Sequence, residues 1–162
     1  MIDFRRILLA LCRHEVEFIV VGGVAAVLNG AAYMTFDLDI VHRRSPENLS
    51  HLLAALRELE AGYRSRPELS PNETHLASDG HQLLMSKYGP LDILGTIEGG
   101  RAYETLLPRT KSVAIGSGCT VAVLTIPTLI QLKEGTTDPK HQQQLAVLKT
   151  ILLADPDRGQ DS

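Results

Sequence analysis

The stretch from Phe18 to Val41, FIVVGGVAAVLNGAAYMTFDLDIV, limits most narrowly what this chain can fold into. Its opening residues are too continuously apolar for a sheet edge, so Glu17 to Val21 is predicted to be a strand buried on both faces. Gly22-Gly23 leads into a short helix expected over Gly23 to Asn29, and Asn29-Gly30 supplies a turn before a second strand that carries Asp37 and Asp39. Strand side chains alternate between faces, so Asp37 and Asp39 point one way while Leu38 and Ile40 point into the core. At a rise of about 3.3 Å per residue the two aspartate Cα atoms lie about 7 Å apart, close enough for their carboxylates to lean onto a shared cation. The paired glycines allow another group to approach the backbone. Alternation by itself fits the solvated face of an edge strand equally well.

The rest of the chain narrows the choice. With 162 residues and 44% hydrophobic content, one domain over 1–154 with a proper core is expected, and the polar stretch 155–162 reads as a frayed, disordered tail. A net charge of −3 and a pI near 6.0 give no global basic surface. A nucleic-acid partner would need a local patch, and a general nucleic-acid coat protein is disfavoured. Cys12 and Cys119 are far apart in sequence and form no Cys-x-x-Cys, which suits a reducing compartment and argues against a zinc ribbon. The histidines are scattered without a His-Glu-x-x-His, so a zinc hydrolase is disfavoured. No apolar run approaches the length of a membrane span, and the chain is expected to be soluble and cytoplasmic, with no membrane partner.

Element by element, a mixed α+β domain emerges, a β-sheet with flanking helices and a C-terminal helical segment. Phe4, Ile7, Leu8 and Leu11 recur at helical spacing behind a capping Asp3. Ser45-Pro46-Glu47 opens a second helix with the stripe Leu49, Leu52, Leu53, Leu56 and Leu59, and Gly62 is placed to stop it. Asp79-Gly80 predicts a hairpin between strands at Thr74 to Ala77 and His81 to Ser86. A strand from Leu91 to Leu94 carries Asp92, and Gly99-Gly100 begins a short helix through Leu106. Gly116-Ser-Gly118 joins strands at Ser112 to Ile115 and Thr120 to Thr125. Two helices follow, Ile126 to Lys133 and about Pro139 to Leu153.

The order of these signals resembles the nucleotidyltransferase superfamily with a polymerase-β-like palm, in particular its small bacterial members related to the AbiEii and MNT toxin–antitoxin proteins. Gly22-Gly23 stands for the family's glycine pair, Asp37 and Asp39 for its Asp-x-Asp, and Asp92 for the third acidic residue. The resemblance runs from about Glu17 to Leu148 and includes Leu129-Ile-Gln-Leu-Lys133 and Lys140-His-Gln-Gln-Gln144. Lys133 and Lys140 match, whereas His141 and Gln144 stand where acidic residues are usual. Tyr33 replaces a frequent arginine.

What the resemblance implies is transfer of a nucleoside monophosphate from a nucleoside triphosphate to a hydroxyl of RNA, protein or a small molecule, with magnesium, or manganese in its place, as cofactor. Asp37, Asp39 and Asp92 would hold the metal and carry catalysis, with Asp92 next to the attacking hydroxyl. Gly22, Gly23 and Lys133 would bind the nucleotide, and a toxin–antitoxin partner protein is a further implication. The departures at Tyr33, His141 and Gln144 keep a second class open, a catalytically weakened nucleotide-binding or protein-interaction module on the same fold. For Lys133 the plain alternative is a solvent-facing helix residue; for Asp92 it is a surface position beside a hairpin; for Tyr33 it is packing, with the hydroxyl at the surface. Thr35 is expected to satisfy backbone groups in its turn, and His42, directly after the acidic strand, is positioned to approach the site, although a lone histidine is usually incidental.

Overall fold

A computed structural model describes residues 1–154; the segment 155–162, expected to be a frayed tail, lies outside them. Its helices are α1 (Phe4–Arg13), α2 (Gly22–Leu28), α3 (Pro46–Glu58), α4 (Glu73–Ala77), α5 (Tyr103–Leu106), α6 (Ile126–Lys133) and α7 (Pro139–Ala154). The strands are β1 (Phe18–Val21), β2 (Leu38–His42), β3 (Gly62–Tyr63), β4 (His81–Ser86), β5 (Gly89–Leu94), β6 (Thr110–Gly116) and β7 (Cys119–Leu124). They form one sheet of seven strands in the order β3-β4-β5-β2-β1-β7-β6.

The apolar run of β1 is explained by this order. It lies between β2 and β7, all four of its residues are buried, and Ile19 and Val20 have no accessible surface. Pairing is antiparallel with β2 and parallel with β7. A parallel pair needs a long crossover, and β2 reaches its parallel neighbour β5 only after α3, α4 and the β4 strand. Asp3 caps α1 by accepting from the Arg6 N–H at 3.2 Å, and Ser45 caps α3 from the Asn48 N–H at 3.3 Å. Four leucines of the expected α3 stripe, Leu49, Leu52, Leu56 and Leu59, are almost inaccessible, and Leu53 is partly buried at its edge.

Several local expectations are corrected. Thr74 to Ala77 is helix and not strand: Asn72 and His75 form a reciprocal capping box that starts α4. Turn chemistry at Asp79-Gly80 marks the entry to β4, whose hairpin partner is β5 across Lys87-Tyr88. Helix α3 ends before Gly62, because Glu60 takes the left-handed conformation (φ 53°) and the Ala61 N–H closes onto the Leu56 carbonyl. Gly62 instead opens β3, where a Cβ would press on the Pro67 carbonyl oxygen at 2.8 Å. The Gly99-Gly100 segment is a short 3-10 turn at Glu98–Gly100, separated from α5.

Cys12 and Cys119 are also corrected. Helix α1 packs on β7 and brings their Cα atoms to 6.2 Å, and the two are joined as a disulfide. Their separation of 107 residues in the chain hid a pairing that only tertiary packing creates. Among the described residues, no helix is long and apolar enough to cross a membrane.

Candidate active site

Strand register sets the site. Asp39 on β2 is the direct parallel partner of Asp92 on β5, and paired residues project from the same face of a sheet. Asp37, two residues before Asp39, shares that face. Carboxylate oxygens of Asp37, Asp39 and Asp92 all lie within 4.8 Å of one another. Leu38, Ile40 and His42 face the other way into the core, where the His42 Nε2 meets the Leu76 carbonyl of α4 at 2.7 Å. His42 therefore does not reach the acidic cluster, despite following it in the sequence.

Beside the cluster, the β1 strand ends against Asp39 through the Val21 pairing, and α2 begins. Gly22 adopts φ +66°, and a Cβ there would collide with the Asp39 carboxylate. At Gly23 a Cβ would lie 2.7 Å from the Thr35 Oγ1, whose own hydroxyl donates to the Asp37 carbonyl at 3.2 Å. Glycine at these two positions lets the acidic strand and the preceding turn close tightly on the start of α2. Thr35 holds that turn, as the sequence suggested.

The electrostatics are costly without a partner. Burial first, and then the neighbouring Asp37 charge, raise the Asp39 carboxyl from 3.8 to about 6 against the opposing charges of Arg64, His81 and Lys133. Two carboxylates about 5 Å apart repel by about 3 kcal/mol at an effective dielectric near 20. One Asp39 oxygen, Oδ1, is buried with no hydrogen-bond partner among the described residues. Buried polar atoms are almost always paired, and an exception calls for an absent partner. Hard oxygen donors, a converging geometry and this orphaned oxygen fit a small divalent cation.

A cavity of about 350 Å³ opens on the cluster, walled by Gly22, Gly23, Asp37, Asp39, Arg64 and Lys133. Helix α7 closes it with Lys140, His141 and Gln144. Lys133 is half-buried, and its Nζ donates to the Gln144 Oε1 at 2.9 Å. Burial lowers its pKa, as does Lys140, against the opposing charges of Asp39 and Asp138. A glutamine at 144 steers the ammonium without neutralising it, which an acidic residue would do. A second cavity of about 360 Å³ adjoins the first, sharing Gly22, Asp39, Lys133 and His141 and adding apolar Val21, Leu94, Ile97, Leu129 and Leu132.

Arg64 is the residue that sequence reasoning missed. It follows the two-residue β3, and its Nη2 donates to the Asp92 Oδ1. No local signal marks it, because the contact spans 28 residues and depends on β3 joining β4 at the sheet edge. Tyr33 departs from expectation as well: its hydroxyl is buried and has no partner among the described residues, and burial raises its pKa.

No protein-family model matches the sequence, and no curated protein is significantly similar to it. Solved structures are similar. The chain superimposes on the lincosamide antibiotic adenylyltransferase LnuA, solved with lincomycin bound, with a TM-score of 0.64 and 15% identity over 91% of this chain and 95% of that one. It superimposes on the antibiotic-resistance factor ANT(2'')-Ia with a TM-score of 0.60 and 15% identity over 97% of this chain and 85% of that one. A Thermotoga maritima protein assigned as a nucleotidyltransferase gives 0.52 and 17% identity over 95% and 93%. The mixed sheet with its flanking helices is the nucleotidyltransferase-like fold.

Proposed function

We propose that this protein is a divalent-metal-dependent nucleotidyltransferase that moves a nucleoside monophosphate from a triphosphate to a hydroxyl acceptor. The observation that carries this reading is the convergence of Asp37, Asp39 and Asp92 within 4.8 Å beside Gly22-Gly23. Fold alone does not fix chemistry, but a carboxylate cluster with a buried oxygen that has no partner among the described residues, facing a cavity with basic walls, is suited to a metal-bound polyphosphate.

Asp37 and Asp39 would hold magnesium, with Asp92 completing the ligand set, and the metal would supply charge neutralisation at the reacting phosphate and the departing pyrophosphate. The chain's own groups do the rest. The open first turn of α2, starting at Gly22, presents N–H groups that lack helical acceptors. Lys133, steered by Gln144, and Lys140 add positive charge on the opposite wall. Asp92 would take the proton of the attacking hydroxyl. Among acceptors, a small hydroxyl compound is favoured over RNA or protein, since LnuA and ANT(2'')-Ia are proteins of antibiotic resistance or modification and cover nearly the same length. A role within a toxin–antitoxin pair would be a narrower form of the same activity.

The alternative, a nucleotide-binding module without turnover, draws on one observation: Arg64 pairs with Asp92, the residue assigned to the acceptor side. Two experiments separate the readings. Magnesium with ATP or another triphosphate should raise the melting temperature of the wild type and not of Asp39→Ala; equal shifts in both would count against metal-assisted binding at this pair. Incubation with labelled nucleotides and candidate small hydroxyl acceptors should then transfer label. Binding without any transfer would favour the module.

A further inference from the structure

Three carboxylates converge on one face of the sheet, yet among the described residues only one of them has a cationic partner in hydrogen-bond contact, and that partner is Arg64. Its placement is specific. The Arg64 backbone N–H donates to the Leu83 carbonyl at 3.1 Å, extending the β3 pairing past Tyr63. Its Nε donates to the Leu84 carbonyl at 3.2 Å, and Nη2 then reaches the Asp92 carboxylate. The guanidinium is thereby held on the acidic cluster from the neighbouring strand. It also forms part of the wall of the cavity that contains Gly22, Gly23 and Lys133.

Two facts make this contact exchangeable and not merely structural. The Arg64 side chain keeps 32% of its surface accessible, against 12% for Asp92, so the arginine has room to turn while the carboxylate does not. The cavity it faces is also where the proposed triphosphate would lie, and phosphate oxygens match the planar fork of a guanidinium as well as a carboxylate does. A guanidinium and a divalent ion on the same carboxylate repel each other, so each weakens the other's hold on Asp92.

We propose that Arg64 is a resident counter-ion of the acidic cluster: it competes with the divalent ion for Asp92 in the free protein and passes to the triphosphate when that ligand enters. This rests on the reading of Asp37, Asp39 and Asp92 as metal ligands. Its consequence is that metal and triphosphate bind cooperatively, each favouring the arrangement the other needs, and such coupling is reciprocal by linkage. The arrangement also compensates for Tyr33: positive charge reaches the acidic strands from the β3 end of the sheet and not from the turn before β2.

The test is a manganese titration followed by the electron paramagnetic resonance of the free ion, on wild type, Arg64→Gln, Arg64→Lys and Asp39→Asn, with and without a nonhydrolysable ATP analogue. Without the analogue, Arg64→Gln should bind manganese about tenfold more tightly than wild type, the size of one charge-assisted hydrogen bond. Arg64→Lys keeps the charge but loses the fork, and should gain about threefold; it carries the test if Arg64→Gln folds poorly. With the analogue present, the advantage of Arg64→Gln should vanish or reverse. Equal or weaker manganese binding by Arg64→Gln without the analogue, with binding abolished in Asp39→Asn, would overturn the role of Arg64 and leave the metal site standing. Manganese binding unaffected by Asp39→Asn would overturn both.

Discussion

The β1–β2 ribbon has two ends, and their polar groups are treated in opposite ways. At one end Asn48, only 2% exposed, stitches the strands together. Its Oδ1 accepts from the Glu17 N–H at 2.7 Å, and its Nδ2 donates to the Glu17 and Arg43 carbonyls at 2.9 and 2.7 Å. At the other end Asp39, paired with Val21, keeps a buried oxygen without a partner among the described residues and sits beside two further carboxylates. A satisfied polar group stabilises the fold; an unsatisfied one costs stability until something binds it. The difference separates scaffold from site on one pair of strands, without reference to any relative.

The largest expected effect breaks the stitched end. Asn48→Ala removes three hydrogen bonds from this end of the ribbon, those of the Glu17 N–H and of the Arg43 and Glu17 carbonyls, although the Glu17 carbonyl keeps the Arg43 N–H; at about 1 kcal/mol each the loss is about 3 kcal/mol, a drop in melting temperature of roughly 6–12 °C. The magnesium–triphosphate shift of the folded variant should survive. Calorimetry with and without ligand checks both, and a loss below about 1 kcal/mol would mean that the stitch is not what closes this end.

A smaller effect of opposite sign is expected at the open end. The Asp39 carboxyl is raised in the folded protein to about 6, so the folded state binds its proton more tightly than the unfolded chain does. Stability in EDTA therefore rises as pH falls from 7 towards 5, and the penalty is fully present above the folded pKa. Asp39→Asn removes the charge and should stabilise the metal-free protein by about 2 kcal/mol at pH 7.5, allowing for partial exposure of the group. The gain should shrink towards pH 5. Urea midpoints at the two pH values check this, and a destabilised Asp39→Asn at pH 7.5 would show that the carboxylate is already satisfied by the protein.

This contrast also explains what the sequence could and could not reveal. Period and position placed Asp37 and Asp39 on one face because alternation is a property of a single strand. The burial of β1 followed from its run of Phe18, Ile19, Val20 and Val21, and α3 from its cap and leucine stripe. Asp92 required the register between β2 and β5, which the chain encodes only through the whole sheet, and family order supplied it in advance. Arg64, the disulfide and the α4 helix had no such guide. Arg64 and Cys119 act across elements that meet only in the fold, and the capping pair Asn72 and His75 competed with a hairpin signal at Asp79-Gly80 that was equally legible.

The smallest effect sharpens the comparison at Tyr33, in the turn that leads to the open end. Its hydroxyl is buried without a partner among the described residues, as is the Asp39 oxygen, but the group is neutral and its orphaning has no charge to attract a ligand. If orphaned polar atoms marked function regardless of charge, Tyr33→Phe would abolish the magnesium–triphosphate shift. The electrostatic account expects the reverse: the shift is kept, and stability is unchanged or rises by up to about 1 kcal/mol, because the variant no longer buries an unpaired hydroxyl. Paired thermal and urea measurements on Tyr33→Phe decide between them. A lost shift would move Tyr33 into the binding machinery, while a loss of stability would mean that its hydroxyl has a partner worth keeping.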